Sequence, residues 1–596
     1  MARAVFPSFR LNRVNQSLLI RNLRRVAVTL FYNGHKVWIF GFLTLIWLPL
    51  IFLNFDSHHD GLILSTIRIM KDSISEGGEY PFNQYGPFWT YPFLVVSFFV
   101  SDDYLFLVMR IMTISFYMLS AYILYKISKF FLQASAAWIP AALFLCAQPF
   151  VSDIGSDLVT WPSAVVMPLV LLVFYNSMLV MRGNYSWRIS IFLGLLLPAI
   201  LLTRVQIGVL TTVAVGVVLI LCNKFIVSSW FAVGFIASVI TNIAFLAKLG
   251  WLNSALYDQF VFGLTYLAAD KSTFPKPVFT LIGIILVVLF LSLVPRVRNL
   301  RGLSVKNRII LSFVTTLLSF TLIATIINRE LDLLQSQVLI SRRAWIVIVL
   351  GSLVFFILSL GFETLKRPGK IQSFVRQKSD LLVLALFAVA LQSQVYPLFD
   401  QMHFWWGSPI SFLILTMVSK NVLKDLSIPK KNARVLMFFV TLLLVFSILF
   451  PWFSQISKEK FEYPHEIGSN IFSSSSAVSE EKKLQDFFQA YLPSGATILN
   501  LCENANVFFS SPKYHSSSRF FVFWADQMSH ADRIFEDMRS SRPDYIVSCD
   551  LTHVPDLRLS QESIRDQLIE SLTMKKILIS SYVGEEKKHW FIYQTQ

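Results

Sequence analysis

Apolar runs of roughly twenty residues, the length that spans a bilayer as a helix, alternate with short polar loops along most of this sequence. By that criterion about thirteen runs qualify, at 37–54, 104–125, 135–151, 161–180, 189–203, 206–222, 228–247, 277–295, 309–327, 344–362, 381–397, 407–419 and 434–451. The two runs flanking Arg204 are short. The pattern predicts an α-helical polytopic membrane protein, with a spanning domain over residues 37–452. One polar interruption is longer than the rest, residues 55–103, between the first two runs. Inside it, LILSTIRIM has apolar residues at helical spacing. An amphipathic helix lying on the outer interface is expected there.

Beyond residue 452 the pattern changes. Residues 453–478 read as a polar, Ser-rich linker. Residues 479–596 then alternate strand-like runs (TILNL, FFVFW, YIVSC, KKILISSYV, HWFIYQ) with helix-like ones (EEKKLQDFFQAYL, HADRIFEDMRS, QESIRDQLIESL). That alternation predicts a small extracytoplasmic α/β domain. It carries no G-x-G-x-x-G, no G-x-x-x-x-G-K-[ST] and no G-x-S-x-G, and the chain has no internal repeat.

Composition agrees. Of 596 residues 55% are hydrophobic and 15% charged, against about 25% charged in soluble domains. The net charge of +16 does not indicate nucleic acid, because the basic residues fall in alternate short loops, as the positive-inside rule requires. Arg182, Arg188 and Lys224 lie on one side with Arg296, Arg298, Arg301, Lys366, Arg367, Lys420, Lys424 and the basic tail 1–36. The N-terminus is therefore expected in the cytoplasm, uncleaved, and an odd number of spans puts the C-terminus outside. The expected location is a plasma membrane, of bacterial type. Of the four cysteines, Cys146 and Cys222 fall in apolar runs, and Cys502 and Cys549 in the polar C-terminal region. None has metal-type spacing.

The acids Asp56, Asp60, Asp153, Asp157, Asp258 and Asp400 fall on the outer side, several beside histidine and tryptophan, in FDSHHDG, SDIGSDLVTWP and YPLFDQMHFWWGSP. QYGPFWTYP, with Tyr85, closes the first outer loop. Planar rings flanked by polar groups suit sugars. HHDG after the first run, GGEYPFNQYGPF, and a next span beginning near Arg110 resemble the GT-C superfamily of integral-membrane glycosyltransferases, with YDQFVFG and YPLFDQMHFWW similar to later loops of that superfamily. The chain has no D-x-D in its first loop and no W-W-D-x-G block, which sets it apart from enzymes that move a whole oligosaccharide.

The resemblance implies an inverting transfer of a sugar, hexosyl or pentosyl, from a polyprenyl-phosphate donor to a hydroxyl of a glycan, lipid or protein. The first-loop acid is the general base, carried onto Asp60 with Asp56 second. An Asp at position 60 also suits a helix cap for 61–76. Asp153 and Asp157 are candidates for a second acid that positions the acceptor or a metal. His58 and His59 are candidates for contacting substrate, or for holding a divalent ion with Asp56 or Asp60, although no cofactor is fixed by the sequence. Arg204, with Arg342 and Arg343 as alternatives, would hold the donor phosphate. Asp400 and His403 would line the acceptor side. The competing reading is a polytopic transporter or flippase of a lipid-linked glycan, followed by a non-catalytic assembly or sensor protein. Transporters keep polar residues near the midplane in two related halves, whereas here the acids gather at one face.

Overall fold

The computed structural model describes residues 41, 44–45, 47–53, 59–83, 85–134, 136–147, 158, 160–262, 349–357, 359–360, 377–395, 401–425, 463–465, 468–473, 475–502, 506–509, 514–521, 536, 542–549, 582–583 and 589–595. The predicted spans 277–295, 309–327 and 434–451 lie outside them. Residues 1–49 and 50–596 are two separate compact units, and everything below belongs to the second.

This unit is mostly helical. Helix α1 is His59–Glu76, α2 Tyr91–Ser97, α3 Asp102–Phe131, α4 Ile139–Cys146, α5 Pro162–Met181, α6 Trp187–Leu201, α7 Val205–Cys222 and α8 Phe225–Lys248. Later come α9 (Ser379–Gln392), α10 (Gln401–Gly407) and α11 (Pro409–Asp425). Among the described residues, α3, α5, α7 and α8 are long and apolar enough to cross a membrane. The 30 residues of α3 rise about 45 Å at 1.5 Å each. Helix α5 starts with Pro162, whose fixed φ and missing N–H suit a first helical position. Helices α6 and α8 touch backbone to backbone. A Cβ on Gly194 would collide with the Phe231 carbonyl, and one on Gly234 with the Ile191 carbonyl. The Ser238 hydroxyl donates across the same contact to the Leu195 carbonyl at 3.1 Å. Small residues at a close crossing are a usual source of packing between membrane helices.

The C-terminal part contains a hairpin, β1 (Tyr463–His465) with β2 (Gly468–Ser473), then helix α12 (Ser475–Tyr491). A five-stranded mixed sheet follows in the order β4-β3-β5-β7-β6. Its strands are β3 (Thr497–Leu501), β4 (His515–Ser516), β5 (Tyr545–Cys549), β6 (Tyr582–Val583) and β7 (His589–Gln594). Strand β3 runs parallel to β4 and β5, and β7 antiparallel to β5 and β6. Phe488, Ile498, Phe508, Val547, Trp590 and Ile592 form its core. Cys502 and Cys549 are both buried.

Helix α1 joins the two parts. Leu62 and Ile69, seven residues apart on one face, pack on the sheet core. Met70 packs on another face with Tyr80, Leu94 and Trp251. Arg68 donates to the Phe508 carbonyl. The helix expected from LILSTIRIM is present, but protein covers it on two sides, because the sheet supplies a second apolar surface that the local sequence does not reveal.

Candidate active site

One face of α3 organises the site. Arg110, Thr113 and Tyr117 are three and then four residues apart, which stacks them along one side of a helix. All three are fully buried. Arg110 Nη2 donates to Asp60 Oδ2 at 2.9 Å, and Nη1 to the Leu53 carbonyl at 2.6 Å. Its guanidinium also lies 4.4 Å from the Phe106 ring centroid. Thr113 donates to Thr160 Oγ1 at 3.1 Å, and the Tyr117 hydroxyl accepts from Trp406 Nε1 at 2.9 Å. The seven residues from Arg110 to Tyr117 correspond to about 10 Å along the axis.

Asp60 sits in the first turn of α1, inside the helix rather than before it. A carboxylate there is favoured by the helix dipole, and the buried guanidinium stabilises the same charge. Lone buried charges are costly and buried pairs demand good geometry. The pair therefore fixes where α1 meets α3.

Ten ångströms further along, a ring of contacts closes. Arg204, the residue before α7, is 3% exposed. Its Nη1 donates to Ser163 Oγ at 3.0 Å and to Gln394 Oε1 at 3.4 Å. Its guanidinium lies 5.0 Å from the Tyr85 ring. Tyr85 meets Trp161 edge-on at 5.2 Å, and Trp161 lies parallel to Trp406 at 6.5 Å. Gln394 Nε2 donates to the Trp406 carbonyl at 3.1 Å, which returns the circuit to Arg204. His59 packs on Trp161 and His403 on Trp406, both edge-on at 5.2 Å. Trp161 Nε1 is buried and has no hydrogen-bond partner among the described residues. His59 and Tyr85 keep intermediate exposure, so the ring is approached from their side.

The loop carrying Tyr85 is held tightly. Asn83 Oδ1 accepts from the Tyr85 amide at 3.2 Å and from Trp89 Nε1 at 3.1 Å, and its Nδ2 donates to the Gly86 carbonyl at 3.0 Å. Gly86 has φ +82° and no room for a Cβ, which would collide with the Leu202 carbonyl and the Gln259 side chain. Only glycine satisfies both requirements.

Five sequence candidates thus lie together: Asp60 and His59 at the start of α1, Tyr85, Arg204 and His403. Asp56, His58, Asp153, Asp157, Arg342, Arg343 and Asp400 lie outside the described residues. Sequence reading missed Trp161, Trp406, Tyr117 and Gln394. The signal for Arg110 was present, since a charge inside an apolar run needs a partner. Among the described residues no group of three His, Cys, Asp or Glu side chains is placed to hold a metal.

No protein-family model matches the sequence, and no curated protein matches it. Solved structures do. One is the Archaeoglobus fulgidus oligosaccharyltransferase with Zn and sulfate, 12% identical, with a TM-score of 0.45 over 86% of this chain and 67% of that one. Another is AglB from Archaeoglobus fulgidus with an inhibitory peptide and a dolichol-phosphate, 11% identical, with a TM-score of 0.46 over 95% and 75%. A third is ArnT from Cupriavidus metallidurans in the apo state, 11% identical, with a TM-score of 0.40 over 94% and 98%.

Proposed function

We propose that this chain is an inverting glycosyltransferase that moves a sugar from a polyprenyl-phosphate donor to a hydroxyl acceptor at the outer face of a membrane. In this reading about thirteen helices span the bilayer, the N-terminus is cytoplasmic, and residues 479–596 form a domain outside, in a bacterial plasma membrane. The observation that carries the reading is the alignment along α3 of an anchored carboxylate and a ring of aromatic groups closed by a buried arginine.

The chemistry follows from those parts. The acceptor oxygen attacks the anomeric carbon while the bond from that carbon to the phosphate oxygen breaks. The bonding pair leaves with polyprenyl phosphate, and the acceptor proton passes to the first-loop carboxylate, Asp60, or Asp56 four residues before it. Arg110 orients Asp60, and a carboxylate there takes the proton as the attacking hydroxyl acidifies in the transition state. Arg204 meets the leaving phosphate with a planar fork of donors. Trp161 Nε1 supplies a donor for a sugar oxygen, and His403 faces the acceptor. Attack opposite the leaving group inverts the anomeric configuration.

The test is release of free polyprenyl phosphate from a panel of polyprenyl-phosphate sugars, with and without EDTA, by wild type, Asp60→Asn and Asp56→Asn. A loss of more than about a hundredfold in one variant that remains folded identifies the base. Folded wild type that consumes no donor with hydroxyl acceptors present refutes the reading.

A further inference from the structure

The loop at residues 78–89, which places Tyr85 beside Arg204, is gripped from outside the membrane helices. Asp258 lies in a short π-helical turn, Tyr257–Phe262, and is fully buried. Its Oδ2 accepts from the Asn83 amide at 3.1 Å and pairs with Arg519 Nη2. Arg519 belongs to the C-terminal part, just after β4, and is itself buried. Its Nε donates to the Tyr80 carbonyl at 3.2 Å, and its own carbonyl accepts from the Phe82 amide at 2.8 Å. The Phe82 and Phe520 rings lie 5.4 Å apart. The two ends of the loop are held by Trp251 Nε1, donating to the Gly78 carbonyl at 3.0 Å, and by the Phe88 amide, donating to the Leu202 carbonyl at 3.2 Å.

Two segments distant in sequence, around Asp258 and Arg519, therefore hold the backbone from Tyr80 to Asn83, and Asn83 in turn sets Tyr85 and Trp89. Buried ion pairs between distant segments seldom add much net stability, and fixing register is their best-attested use. We propose that Arg519 is a positioning residue of the membrane-embedded site. Through Asp258 and Asn83 it holds Tyr85 against Arg204, so the C-terminal domain completes the donor-phosphate subsite. The subsite assignment rests on the proposed function; the loop-ordering role does not.

Two readouts separate these parts. The first is hydrogen–deuterium exchange of the full-length protein in nanodiscs. Arg519→Leu and Asp258→Asn are each expected to speed exchange at the 82–89 amides at least tenfold, leaving α6 and α8 unchanged. The Asn side chain still offers an oxygen to the Asn83 amide, so Asp258→Asn is the milder variant. Arg519→Lys keeps the charge but not both donors and is expected to fall between wild type and Arg519→Leu. Unchanged protection at 82–89 in folded variants overturns the proposal.

The second readout is affinity for undecaprenyl phosphate, from the concentration dependence of its thermal stabilisation. Each variant is expected to bind at least tenfold more weakly, and the double variant no more weakly than the worse single one. Faster exchange with unaltered affinity overturns the positioning role. Faster exchange in variants of a wild type that does not bind this lipid upholds the loop-ordering role and refutes the donor assignment instead.

Discussion

Arg110 and Asp60 form a fully buried ion pair, at 2.9 Å, between α3 and the first turn of α1. Removing one partner leaves the other charged and desolvated, which costs about 3–5 kcal/mol. Arg110→Met and Asp60→Leu should each lower the thermal unfolding midpoint markedly in detergent. The double variant should recover most of that loss and stay inactive. Equal midpoints for the single variants and wild type would show that the pair carries no structural weight.

Arg204 faces Tyr85, Ser163 and Gln394. A lysine keeps the charge but loses the planar fork, so Arg204→Lys should raise the donor KM about tenfold, or ~1.4 kcal/mol. Tyr85→Phe retains the ring and should behave nearly as wild type, while Tyr85→Leu removes a cation–π contact of about 0.5–2 kcal/mol. Steady-state kinetics on one donor distinguishes these outcomes; a defect as large in Tyr85→Phe as in Tyr85→Leu would assign the hydroxyl, not the ring.

The α6–α8 crossing should tolerate no side chain. Gly194→Leu and Gly234→Leu each drive a branched group into a backbone carbonyl and are expected to abolish recovery of folded protein by size-exclusion chromatography. Gly216→Ala is the control: nothing lies within 4 Å of a Cβ there. Helix propensity favours it by roughly 0.5–1 kcal/mol, so its unfolding midpoint should stay level or rise.

On α1, burial pushes the Asp72 carboxyl up, partly opposed by Arg68 and Lys71 and reinforced by Glu76 and Asp102. The folded state then binds more protons than the unfolded one between the unfolded value and the raised folded value. Stability falls as pH rises through that window, and the whole penalty is present above it. Asp72→Asn should therefore raise the midpoint at neutral pH, with the gain vanishing below about pH 4. A constant difference across pH would assign the effect to packing.

What could be read from the sequence depended on range. The helix over LILSTIRIM needed only its own spacing, and α5 at Pro162–Met181 matches the apolar run 161–180. The second apolar surface on α1 was not legible, because Phe508 and Trp590 lie more than four hundred residues away. Arg204 stood out as a charge between two spans. Tyr85 was a candidate too, but its closeness to Arg204, and that of Ser163 and Gln394, was not legible, since no local pattern links four chain segments. The pairing of Asp258 with Arg519 was hidden for the same reason. Each residue alone looks like an ordinary loop charge, and only the tertiary fold removes both from water.

The dependence of α1 on the C-terminal sheet also sets a clock. A ribosome adding about 5–20 residues per second makes Asp60 and Arg110 early and takes roughly 20–80 s more to reach Arg519. Throughout that interval Leu62 and Ile69 have no sheet to pack on, and Arg68 has no Phe508 carbonyl to meet. The newborn chain thus makes both Asp60 and its partner Arg110 well before the wall behind α1 exists.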